Sequence, residues 1–183
     1  MTKRQAKPAP TWTDVKARLA LLPHASLLDL VRDLYTAHND TRIFLHARFA
    51  IGDNVLAPYK ETIQRWLSPD IFRRQDTSVS KAKQALADYR KAVGDDAGSA
   101  ELMVFYCEQG VWFCKEYGND DEVYFNSLVR VFAQAAGLAA KMPDRIGKGL
   151  FDRLDKVREI SRQFGYGVGE EMDAIFVRFW HDS

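Results

Sequence analysis

The sequence predicts an all-α fold, a bundle of about seven to eight antiparallel helices, and three observations carry that expectation. Apolar residues recur at helical spacing through most of the chain, as in Leu27, Leu30, Val31, Leu34 and Tyr35, with Asp29 and Asp33 on the other side. Nowhere does period-two alternation with β-branched residues persist, so no strand is expected. Residues 99–141 form a helical hairpin in which a nearly all-apolar helix runs through Gly118 into a second helix rich in alanine. Only neighbours on several sides can cover such a pair.

The elements follow in order. Thr11 with Asp14 three residues on resembles a capping box, and Val15, Leu19 and Leu22 continue a first helix to Pro23. The stripe from Leu27 to Tyr35 makes a second helix ending near His38. Asn39 and Asp40 offer an N-cap for a third, whose Ile43, Phe44 and Ala47 lead to a stop at Gly52. Pro58 suits the first turn of a fourth, carrying Tyr59, Ile63, Trp66 and Leu67. Residues 68–78 read as a connection, and Val79, Ala82, Leu86, Tyr89 and Val93 mark a fifth helix, basic outside and closed by Gly94. The segment DDAGS at 95–99 reads as a loop before the hairpin helix, expected over 101–117. Ala133, Ala136, Gly137 and Ala140 place small residues on one face of the next helix, where a neighbour can approach closely. Pro143 and Asp144 open a charged helix reaching Phe164, and Gly169 precedes a last one from Glu170 to Trp180.

Length and composition bound the class. At 183 residues, 46% hydrophobic and 28% charged, the chain suits one domain, expected over 11–183 behind a disordered basic tail at 1–10. Helix pairs of about 35 to 45 residues also suit a stack resembling TPR or HEAT repeats. No apolar run approaches the roughly 20 residues that cross a bilayer, and the basic start lacks the apolar stretch of a secretion signal, so a cytoplasmic protein without membrane association is expected. Residues 1–91 hold 16 Lys/Arg against 9 Asp/Glu, and residues 92–183 hold 10 against 16. This asymmetry suits self-association or a bipolar partner, or neutralisation by the halves packing together.

The candidate functional residues lie on the hairpin. Glu101, Glu108 and Lys115 share a helical stripe with Phe105 and Trp112, which is either an edge under an amphipathic neighbour or a recognition surface. Glu108, in the middle of the most apolar helix, needs a cationic or hydrogen-bonding partner if buried. Glu116, Tyr117, Tyr124 and Asn126 complete the set, with Tyr124 and Asn126 placed to bond Glu108 or Glu116 across the hairpin. Cys107 and Cys114 are about 10.5 Å apart along one helix, beyond disulfide reach, and read as reduced core thiols. His24, His38, His46 and His181 form no metal-ligand spacing, and no cofactor is expected. GYGVG at 165–169 follows a helix, lacks a following Lys-Ser/Thr and leads into Glu170 and Glu171, so it reads as a turn rather than a phosphate loop.

Three stretches carry a resemblance: SKAK at 80–83, FYCEQGVWFCKEYGNDDEVYFNSL at 105–128, and GYGVGEEMDAIF at 165–176. Together they resemble a family of short all-helical bacterial proteins catalogued as a domain of unknown function. The pattern rests on Glu108, Gly110, Val111, Phe113, Tyr117 and Gly118, followed by Tyr124 and Asn126. The resemblance implies the helical fold and these residues as a shared constellation, and implies no activity.

The functional expectation is a non-enzymatic helical module acting by protein–protein contact, with a protein partner or as a homo-oligomer. The alternative is an enzyme or small-ligand binder around Glu108, Tyr117, Tyr124 and Asn126. Nucleic-acid binding through the basic first half, with Arg73, Arg74 and the fifth helix, is weaker, because no recognised motif accompanies it and the acidic second half opposes it.

Overall fold

The computed structural model describes residues 9–180. Residues 1–8 of the expected basic tail, and 181–183 with His181, lie outside the described residues. Among the described residues the secondary structure is nine α-helices and one short 3-10 turn, with no strand. By contact the chain divides into two compact units, residues 1–43 and 44–183.

In the first unit, α1 spans Trp12–Leu19 and α2 spans His24–Ala37. The Thr11 backbone N–H donates to the Asp14 carboxylate at 2.7 Å, closing the expected capping box. Pro23 sits at the N-cap of α2, where its missing N–H costs nothing, and His38 leaves α2 in an extended conformation. Neither helix buries a single residue. α3, Asn39–Arg48, begins in this unit and ends in the second.

α3 stops four residues before Gly52. Ala50 takes the left-handed conformation (φ 51°) and the Ile51 N–H bonds back to the His46 carbonyl at 2.8 Å, so an alanine fills the position expected of glycine. In the second unit α4 is Ala57–Leu67, a 3-10 turn covers Ile71–Arg73, and α5 is Val79–Ala92. α6 is Asp96–Tyr117, α7 Glu122–Ala139, α8 Asp144–Ser161 and α9 Val168–Trp180. α6 begins five residues before the expected start, because Asp95 is its N-cap, accepting from the Gly98 N–H, and the DDAGS segment becomes its first turn.

α6 packs on α4, α5, α7 and α8, which makes this unit a bundle around one helix rather than a file of pairs each meeting only the next. Its Leu102, Val104, Tyr106, Cys107 and Val111 are buried, against Ile63 and Leu67 of α4, Leu128 and Phe132 of α7, and Leu154 of α8. Glycines set the close approaches. A Cβ at Gly110 would lie 2.3 Å from a Leu128 methyl, and one at Gly147 would lie 2.8 Å from the Ala139 carbonyl oxygen. Gly147 thus brings α8 close to the end of α7 at Ala139, while Gly137 of the small-residue face lies beside the Phe179 ring of α9.

Candidate functional site

The side of α6 left least covered carries Glu101, Phe105, Glu108 and Trp112, the stripe expected from helical phase. α4 and α8 both pack on α6, and each contributes one cation to the stripe. Lys60 of α4 donates to Glu101 at 2.6 Å while its ammonium lies 5.2 Å from the centre of the Phe105 ring. Arg153 of α8 grips Glu108 with two parallel bonds, Nε to Oε1 and a terminal nitrogen to Oε2, each 2.7 Å. Its remaining terminal nitrogen donates to Glu101.

This is a four-member network of two cations and two carboxylates. A guanidinium fork matched to a carboxylate is the strong form of such a pair, fixing orientation as well as charge. Burial alone would raise the Glu101 carboxyl, but the bonds from Arg153 and Lys60 outweigh it and hold Glu101 below the ordinary glutamate value of 4.5. Arg153 is pushed further towards its charged form, chiefly by its bonds to Glu108. Glu108 side-chain exposure is 32% and that of Arg153 is 30%, so the network lies at the edge of the core and touches water. Glu108 has the cationic partner its position demanded. Lys60 and Glu101 also join the basic first half of the chain to the acidic second half.

The other candidate residues are distributed around this stripe. Trp112 (46% exposed) and Tyr117 (42% exposed) meet edge to face, with ring centres 5.9 Å apart. Glu116 and Asn126 are exposed. Tyr124 is fully buried, and its hydroxyl donates to the Leu67 carbonyl of α4 at 2.7 Å. The bond expected from Tyr124 to Glu108 or Glu116 is therefore not formed: the hydroxyl is committed to the end of α4. A second buried tyrosine, Tyr106, shares a 2.7 Å bond with Ser127, a pairing invisible to single-helix periodicity.

Cys107 and Cys114 are both buried free thiols. Burial raises both, Cys114 to about 11, which leaves them protonated and unreactive at neutral pH. Among the described residues no group of three or more His, Cys, Asp or Glu is placed to hold a metal ion. In the turn before α9, Tyr166 and Gly167 both take positive φ and the Tyr166 hydroxyl donates to the Asp120 carbonyl, tying this turn to the α6–α7 turn. A Cβ at Gly169 would lie 2.7 Å from the Arg162 Cα, so glycine here serves helix packing.

Sequence reasoning missed Arg153 and Lys60. Their signal is weak in the sequence, since Lys60 is one of two basic residues on α4 and Arg153 one of five on α8. The basic first half is also partly committed: Arg65 and Lys81 lie over the Trp66 ring at 4.3 and 3.8 Å, and Arg48 donates to the carbonyls of Lys91 and Ala92. No family model, curated protein or solved structure matches the chain, so the fold and this network are the findings on which a functional reading rests.

Proposed function

We propose that the chain is a non-enzymatic protein-interaction module of the cytoplasm, related to the uncharacterised helical family it resembles. The observation that carries this reading is the N-terminal pair α1 and α2. It exposes Trp12 (67%), Val15, Leu22, Leu28 (57%), Leu30, Val31 and Leu34, and buries none of its residues. Isolated helices of this length are marginal in water, and their stability in proteins comes from packing an amphipathic face. Apolar residues at this spacing support a contact surface for another protein, including a second copy. No helix among the described residues is long and apolar enough to cross a membrane. The exposed Trp112–Tyr117 pair supplies a second aromatic contact of the kind that anchors interfaces.

The test is hydrogen exchange across a dilution series, run beside light scattering in low and high salt. In the dilute monomer the amides of residues 24–37 exchange rapidly, and they gain protection in the associated species. Full protection of those amides in a monomer at the highest dilution would show the stripe already covered by its own chain and would overturn the reading.

A further inference from the structure

On the side of α6 opposite the ionic stripe, a cleft of about 450 Å³ opens where α5, α6, α7 and α9 meet. Part of its lining is apolar: Met103 of α6 is buried, and Leu138 of α7 and Phe179 of α9 line the sides. Gly137 on the α7 face has no side chain to fill the space. At the same cleft stand two cations from different elements, Arg90 of α5 and Lys141 just beyond α7. Among the described residues neither side chain makes an ion pair or hydrogen bond, in contrast to Lys60, Arg153 and Arg158. Asp96, in the first turn of α6, also lines the cleft but lies beyond ion-pair distance of both.

The cleft has the size of a small-molecule site, and its lining joins the apolar residues to the charged Arg90, Lys141 and Asp96 and the neutral Ser99 and Gln134. Cations beside low-dielectric walls concentrate anions. An apolar floor repels an ion that must keep its full hydration shell and accepts one that brings its own hydrocarbon. Two cations against one carboxylate leave a single unmatched positive charge, which suits a monoanion over a dianion. We propose that this cleft binds a small amphipathic carboxylate, its head group held by Arg90 and Lys141 and its apolar body lying against Met103, Leu138 and Phe179. This is independent of the interaction surface on α1 and α2.

The test uses the full chain with octanoate, followed by calorimetry and by amide chemical shifts. One saturable site is expected, with shifts at Ser99, Gly137 and Leu138. Arg90→Gln combined with Lys141→Gln changes two exposed residues and keeps the melting transition; it weakens octanoate at least tenfold, as loss of charge-assisted bonds implies. Octan-1-ol, with the same chain and no charge, binds at least tenfold more weakly than octanoate. Equal affinity for the alcohol, unchanged affinity in the double variant, shifts located elsewhere, or no binding at millimolar octanoate would each overturn the proposal.

Discussion

Arg153 holds two carboxylates that stand seven residues apart on α6, so its removal weakens the hold on both at once. Replacing it with methionine keeps most of the packing and leaves Glu101 with Lys60 alone and Glu108 with no cation. Loss of one partner costs up to about 1 kcal/mol at a fully exposed pair and several at a fully buried one; at this edge about 1–3 kcal/mol is expected, read as a lower urea midpoint. The acid response carries the same signature. Because Glu101 is held below 4.5 in the folded state, the stability it contributes is complete above that value and is lost as pH falls through the lower folded value. Arg153→Met should flatten this acid dependence, and an unchanged slope would separate Glu101 from the network. Glu108 was legible in the sequence as an acid out of place on an apolar helix. Its partner was not, because helical phase within α6 says nothing of which α8 cation, 45 residues away, faces it. Tyr124 misled for the same reason: its hydroxyl bonds 57 residues back, to Leu67.

Helix α8 contains a controlled comparison in two glycines. At Gly147 an added Cβ would meet the Ala139 carbonyl at 2.8 Å, and backbone cannot swing aside; at Gly149 it would meet nothing within 4 Å. Gly149→Ala should stabilise the protein by up to about 1 kcal/mol through helix propensity. Gly147→Ala should destabilise it by about 1–3 kcal/mol, since α8 must move off α7. Thermal melts of the two variants check both signs, and a stabilised Gly147→Ala would mean that α7 and α8 pack less closely than described. Helix order was readable from apolar spacing, caps and prolines, because those signals are local, and the nine helices among the described residues are close to the seven to eight expected. The boundaries that shifted depend on caps that apolar spacing does not show: left-handed Ala50 ends α3 and the Asp95 side chain starts α6. Gly98 reads as a helix breaker, yet α6 runs through it, since a Cβ there would strike the Tyr89 ring and Asp95 caps the turn while accepting from the Tyr89 hydroxyl at 2.5 Å.

At the scale of the whole molecule, the core is rich in groups that keep a proton the unfolded chain gives up. Burial raises Tyr59, Tyr89, Tyr106 and Tyr124 above 10.0, and Cys107 and Cys114 above 9.0. The stability tied to these protons is complete below the unfolded values and is lost as pH rises towards the folded ones. Urea midpoints should therefore hold steady to about pH 8.5 and fall continuously from there to pH 11, with loss first in the thiol range and then in the tyrosine range. A midpoint flat to pH 11 would place these side chains in contact with water. Apolar spacing carried the fold class and left the clustering of these protons inside the bundle unseen. The two cysteines have one more consequence. Since both thiols are buried and held protonated, the native chain should be silent to thiol reagents while folded, and a cysteine placed anywhere on the outside becomes the single address for a fluorophore, spin label or cross-linker without removal of the originals.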